Sequence, residues 1–213
     1  MRRSCIYAFD LDGTLLRGNS SIGFYKYALE RRLFSYKTLP SCFFSFLRFR
    51  FFFLDLPSFY SRIVSSLLSS VEFEDLSATA CDFAQTLVKK YFYTPALEKF
   101  YEALEDSSGE VMIFSSSPDF IVRPIAEKLG ANVCYASKYQ GFSRGQTLAN
   151  QCLTGDNKAR ILSHLKKIGR ARSHTFSDHI LDLPFLLLGE EKTVVRPRGR
   201  LRKMARKYYW NII

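Results

Sequence analysis

Cys5-Ile6-Tyr7-Ala8-Phe9-Asp10-Leu11-Asp12-Gly13-Thr14-Leu15-Leu16-Arg17 is the stretch on which the reading of this chain turns. The apolar run over residues 5–9 has the length of one buried strand, and polar chemistry begins where it ends. Asp10 and Asp12 stand two apart, so a nearly extended chain presents both carboxylates to one side. Gly13 allows a sharp turn directly after them, and Thr14 adds a hydroxyl to the same corner. Two carboxylates crowded at the carboxyl end of a buried strand repel each other, and a cation between them relieves the repulsion. That edge is also where open α/β sheets bind ligands. A solvated turn accounts for the same residues without any chemistry. An EF-hand calcium loop does not fit, because it needs glycine in sixth place and glutamate in twelfth; here Gly13 is fourth and Ser21 twelfth.

The chain has 213 residues, enough to bury a substantial core as one domain with an insertion or as two small ones. Hydrophobic residues make up 47% and charged residues 24%, globular values for which disorder is not expected. Cys5, Cys42, Cys81, Cys134 and Cys152 are odd in number and form no Cys-x-x-Cys pair, which points to a reducing cytoplasm. No secretion signal is expected, since Asp10 interrupts the N-terminal apolar run far short of a signal-peptide core. The formal net charge of +11 suits an acidic partner: a phosphorylated substrate, an anionic membrane surface or nucleic acid.

From residue 18 to residue 89 the sequence reads as consecutive helices inserted after the first strand. Ile22, Tyr25, Leu29 and Leu33 recur at helical spacing behind Ser20 or Ser21 as N-cap. Tyr60, Ile63, Val64, Leu67, Leu68 and Val71 do so after Pro57, and Ala80, Phe83, Ala84, Leu87 and Val88 form a third stripe. Between them, residues 39–56 carry Phe43, Phe44, Phe46, Phe49, Phe51, Phe52 and Phe53. This segment is too apolar all round for a surface helix, yet Arg48, Arg50 and Pro40 make it a poor membrane span. It reads either as an aromatic core or as a helical element lying among lipid headgroups with its arginines snorkelling.

The chain then takes on α/β character. A helix over 96–105 presents Leu97, Phe100, Tyr101 and Leu104, and a four-residue strand over 111–114 runs into Ser115-Ser116-Ser117-Pro118. The helix that follows carries Phe120, Ile121, Ile125, Ala126 and Leu129, with Gly130 as its C-cap. A strand, a hydroxyl-rich turn and the free N–H groups of a helix make a phosphate cradle, although serine is also a common helix cap. Lys158 falls in the first turn of the helix opened by Gly155, against the dipole preference for anions there. A strand around His174-Thr175-Phe176 leads into Ser177-Asp178-His179, with Asp182 four residues after Asp178 and able to face the same ion. Thr193-Val194-Val195 is read as the last strand, followed by a basic helix.

The order strand–Asp-x-Asp-Gly-Thr, strand–Ser, Lys, strand–Asp-x-x-x-Asp resembles the four-motif series of the haloacid dehalogenase-like superfamily. The Ser115-Ser116-Ser117-Pro118-Asp119 run, the Pro124-Ile125-Ala126 step and the Val195-Arg196-Pro197 close resemble its subfamily IB. That group holds phosphoserine phosphatase-like enzymes and a phosphatidylglycerophosphate phosphatase branch. The resemblance implies a Rossmann-like three-layer α/β/α core with a parallel sheet, formed by residues 1–17 and 90–213, and an inserted helical type I cap over 18–89. It implies Asp10 as nucleophile and Asp12 as general acid and base, with Ser115, the Ser116 N–H, Lys158 and Thr14 around the phosphate. Mg²⁺ would be held by Asp10, the backbone carbonyl of Asp12 and Asp178, with Asp182 in support from behind. The fourth motif departs from the family pattern, because Ser177-Asp178-His179 stands where Gly-Asp-Ser is usual.

These assignments imply a phosphomonoesterase. The Phe-rich segment favours a lipid or glycerol-type phosphate, and phosphoserine is the alternative. A rival of another class is a non-catalytic module whose tail, with Arg196, Arg198, Arg200, Arg202, Lys203, Arg206 and Lys207 beside Tyr208, Tyr209 and Trp210, grips anionic membrane or nucleic acid. A terminal helix docking Leu201, Ala205 and Trp210 with its basic face in solvent is favoured over nucleic-acid binding. The expected location is cytoplasmic, with or without peripheral attachment to a membrane, and no oligomeric state is legible.

Overall fold

In the computed structural model, residues 5–36, 71–87, 89–138, 152–169 and 171–213 are described. The first strand, β1 (Cys5–Asp10), lies inside a parallel sheet. It pairs with β2 (Gly109–Pro118) on one side and β4 (Arg172–Ser177) on the other. The full order is β3-β2-β1-β4-β5-β6, with β3 (Val133–Ser137), β5 (Glu191–Val194) and β6 (Asn211–Ile212) completing it. The chain builds outward from β1 through β2 to β3 and then crosses to β4. The switch point therefore falls at the carboxyl ends of β1 and β4, where open α/β sheets leave a crevice.

Alternation along the strands sends side chains to both faces, as a buried parallel sheet requires. Phe9, Val111, Ile113 and Phe176 join one apolar cluster with α1 (Ser20–Glu30), α2 (Phe73–Thr86), α3 (Thr94–Glu105) and α4 (Asp119–Leu129). Ile6, Ala8, Met112 and Phe114 join another with Leu162 of α5 (Gly155–Gly169) and Phe185 of α6 (Leu183–Leu186). The expected three-layer α/β/α arrangement is present. The described parts of residues 18–89 share the first cluster, where Phe24 meets Phe83 and Phe120 edge-on at 5.9 and 5.7 Å. The Phe-rich segment 39–56, the stripe from Tyr60 to Leu68, Val88 and the stretch 139–151 lie outside the described residues.

Four sequence expectations need correction. The buried face of α1 is Phe24, Ala28 and Leu29, while Ile22 is 57% exposed. Its N-cap is Asn19, whose side chain accepts from the Ile22 N–H, and the Ser20 N–H is tied to Asp12; together they set the rotation of the helix. In α3 the inward residues are Ala96, Phe100 and Ala103, with Tyr101 turned out, because small side chains let the helix sit close to the sheet. β2 has ten residues, not four. It continues through the serines because Ser137 Oγ donates to the Ser116 carbonyl and Ser116 Oγ to that of Leu153. The strand over 193–195 is not the last, since β6 adds to β5 after the basic helix α7 (Gly199–Lys207). That helix docks Leu201 and Ala205, with Trp210 packed beside them, and leaves its cationic side chains in solvent. Among the described residues no helix is long and apolar enough to cross a membrane.

Candidate active site

Strand register brings the motifs together. Asp10 pairs with Phe114, so Ser115 stands one step beyond it on the same edge. Phe9 pairs with Phe176, whose ring stacks on it at 3.9 Å, so Asp178 emerges beside the loop that follows Asp10. That loop turns through Gly13 at φ +86°, in the left-handed region. It is closed by the Gly13 N–H on the Gly18 carbonyl at 3.1 Å and the Leu16 N–H on that of Leu11 at 2.9 Å.

Asp10 is 5% exposed and Lys158 1%. Lys158 Nζ donates to Asp10 Oδ1 at 2.6 Å and to Asp182 Oδ2 at 2.9 Å. Two facing carboxylates explain a lysine in a first helical turn, where the dipole alone would reject it. Burial holds the Asp10 pKa well above its ordinary value, against the Lys158 charge and with the help of Asp182 and Asp178. Burial would lower the Lys158 pKa, but Asp10 and Asp182 outweigh it and keep the ammonium protonated. Thr14 Oγ1 donates to Asp10 Oδ2 at 3.0 Å and lies 3.3 Å from Asp178 Oδ1. Asp178, half-buried, also has its pKa raised by burial.

Asp12 turns the other way. Its Oδ1 accepts from the Ser20 N–H at 2.5 Å, and its Oδ2 from Ser117 Oγ at 2.6 Å and Ser115 Oγ at 3.2 Å. The carboxylate thus faces the serine corner rather than Asp10 and Lys158, a position suited to exchanging a proton with a leaving group. Ser115 and Thr14 are fully buried. The Ser116 side chain is committed to the Leu153 carbonyl, so only its backbone remains for a phosphate.

No three His, Cys, Asp or Glu side chains among the described residues form a metal cage. The residues nevertheless fit Mg²⁺, which keeps several waters and needs only one or two carboxylates. Asp10 and Asp178 offer hard oxygen donors, their two carboxylates are linked through one threonine hydroxyl, and burial favours neutralising both.

Sequence reasoning missed three contributors, Ser117, Ser177 and Arg196. Ser117 holds Asp12, although it belongs to the serine run already singled out. Ser177, in the atypical fourth motif, donates to Asp182 Oδ2 at 2.9 Å and so stabilises the acid that receives Lys158. His179 accepts from the Leu181 N–H through Nδ1 and caps the short 3₁₀ turn Ile180–Asp182, a structural task. The third, Arg196, donates through Nη2 to the Gly13 carbonyl at 2.6 Å.

Gly13 offers a direct test of the loop. A Cβ at this position would overlap the Asp178 carboxylate, and φ +86° is unfavourable for alanine. Gly13→Ala is expected to lower kcat by about 10²-fold or more through displacement of reacting groups. Folding should weaken by only about 1–3 kcal/mol. Steady-state kinetics beside a thermal melt check this, and wild-type kcat would remove the steric argument.

The profile of the haloacid dehalogenase-like hydrolases matches residues 7–187. The chain belongs to that family. It is 24% identical over 213 residues to a phosphoserine phosphatase of Mycobacterium tuberculosis, covering 96% of this chain and 68% of the relative. A histidinol-phosphatase of Neisseria meningitidis is 22% identical over 215 residues, 96% of each chain. Among solved structures, a Bordetella pertussis protein of unknown function matches with a TM-score of 0.83 at 19% identity, over 99% of this chain and 98% of the other. A phosphoserine phosphatase in the form of a phospho-aspartyl intermediate analogue matches with a TM-score of 0.64 at 18% identity, over 99% and 92%.

Proposed function

We propose that this protein is a Mg²⁺-dependent phosphomonoester hydrolase that works through an aspartyl-phosphate on Asp10. The observation that carries the proposal is the convergence of Asp10, Thr14, Lys158, Asp178 and Asp182 on one side of the loop, with Asp12, Ser115 and Ser117 on the other. An Asp10 oxygen attacks phosphorus as the ester P–O bond breaks, and Asp12 gives its proton to the departing alcohol. Water then attacks the phosphoryl group and passes its proton to Asp12, releasing inorganic phosphate and free Asp10. Lys158, Ser115 and the Ser116 N–H oppose the charge on the phosphoryl oxygens. Mg²⁺, held by Asp10, Asp178 and the Asp12 carbonyl, supplies further charge neutralisation when bound. Asp182 acts from behind by holding Lys158.

We take residues 18–89 as the cap that selects the substrate. Relatives named for phosphoserine and histidinol phosphate support a small phosphorylated molecule. The Phe-rich segment, the net charge of +11 and the exposed cations of α7 support a lipid or glycerol-type phosphate met at an anionic membrane surface. A purely binding role leaves the paired Asp10–Lys158–Asp182 cluster without a purpose.

The deciding experiment offers the purified protein phosphoserine, histidinol phosphate, glycerol phosphate and phosphatidylglycerol phosphate, and measures inorganic phosphate. Release from at least one ester should stop with EDTA and return with Mg²⁺; failure on every ester would end the proposal. Asp12→Ala should reduce turnover by about 10²–10⁴-fold on the same substrate, the usual worth of a positioned acid and base. Co-sedimentation with anionic vesicles at low salt, lost at high salt, is expected for the membrane-surface reading. Equal recovery with neutral vesicles, or none at all, contradicts it.

A further inference from the structure

Arg196 combines three features that local packing does not require. Its φ is +44°, a left-handed conformation that costs a residue with a side chain, and it precedes Pro197, which biases its backbone toward extended geometry. Its Nε is buried without a hydrogen-bond partner. Its guanidinium nevertheless reaches from the end of β5 to the loop after β1, where Nη2 donates to the Gly13 carbonyl.

The backbone that aims this side chain is fixed on both sides. The Val195 N–H donates to the Ser177 carbonyl at 3.0 Å, immediately before Asp178, and the Arg196 N–H to the Ile213 carbonyl at 2.7 Å. The guanidinium carbon lies 4.7 Å from the ring centre of Tyr93, close enough for cation–π attraction. Tyr93 is itself tied to the same loop, its N–H donating to the Leu15 carbonyl at 2.8 Å. The guanidinium and the backbone of the tyrosine beneath it therefore both grip residues 10–18.

The grip falls on the peptide between Gly13 and Thr14. Gly13 touches Asp178 closely enough to exclude a Cβ, and Thr14 donates to Asp10 and lies in reach of Asp178. A planar peptide moves as a unit, so a Gly13 carbonyl released from Arg196 carries Thr14 with it. We infer that Arg196 is a positioning residue for hydrolysis: through the Gly13 carbonyl and the Tyr93 ring it locks the loop that sets Asp10, Thr14 and Asp178 in reacting geometry. This rests on the phosphatase reading for its effect on rate, but not for its effect on the loop.

Arg196→Gly separates this role from a structural one, because glycine relieves the backbone conformation while removing the guanidinium. The expected result is a kcat lowered by about 10–10²-fold with KM changed little, the penalty of misplacement near reacting atoms. Added guanidinium should restore part of the rate in this variant and not in wild type. Hydrogen exchange at the Gly13 and Leu16 amides should speed up by about 10-fold or more, with β1 and β2 amides unchanged. Loop amides keeping wild-type protection would overturn the inference, as would loop and sheet loosening together or a variant with wild-type kcat. A wild type that hydrolyses no ester removes the phosphatase reading alone, and the exchange measurement still decides the role of Arg196.

Discussion

Asp10→Asn should leave a folded protein whose phosphate release is slower by about 10⁴–10⁶-fold, the scale on which nucleophiles acting as part of a unit are lost. The substitution is nearly isosteric, so the stacked Phe9–Phe176 pair beneath the site keeps its packing. What disappears is the carboxylate oxygen 2.6 Å from Lys158 and, with it, the nucleophile of the proposed mechanism. Stability should change little. Burial already disfavours the Asp10 carboxylate, and Lys158 keeps Asp182 at 2.9 Å as its counter-charge. The variant is therefore expected to melt close to wild type while its turnover vanishes. Phosphate release and a melting curve on the same preparation check both halves, and residual activity within about tenfold of wild type would remove Asp10 from the nucleophile's place.

The motif loops are legible in the sequence as chemistry, while their mutual geometry is not. Asp10, Asp12, Gly13 and Thr14 lie in one short run after an apolar strand, and both the strand and the turn follow from local side-chain demands. Lys158 was legible for the opposite reason: its place in a first helical turn is unfavourable on its own and becomes intelligible only between two carboxylates. The phase of α1 was not readable from periodicity, since Asn19 and the Ser20–Asp12 contact set it from outside the helix. β6 is two residues long, too short for any period to register. The Arg196–Gly13 contact joins positions 183 residues apart, which only the sheet order brings together. Ser177 illustrates a further limit. In the sequence it stands in place of the usual glycine, yet its hydroxyl adds a bond to Asp182. A departure from a family pattern can thus be a local substitute, and only the donor–acceptor geometry distinguishes the two cases.

Lys158→Met carries the largest expected cost in stability. The methionine fills much of the same space beside the Phe185 ring, so packing there changes little. The loss is electrostatic: Asp10 and Asp182, both nearly buried, are left facing each other with no cation between them. Removing one partner of a buried pair costs about 3–5 kcal/mol, because the remaining charge stays desolvated. At about 2–4 °C per kcal/mol for a chain of this size, the melting temperature should fall by roughly 6–20 °C. Turnover should fall as well, since in the proposed mechanism the same ammonium opposes the charge on the phosphoryl group. The double variant Asp10→Asn with Lys158→Met distinguishes this cause from simple mispacking. If repulsion and desolvation drive the loss, neutralising Asp10 restores much of the stability, because Asp182 retains its bond from Ser177. A double variant as unstable as Lys158→Met alone would instead assign the cost to shape, and the ion pair would lose its place at the centre of the site.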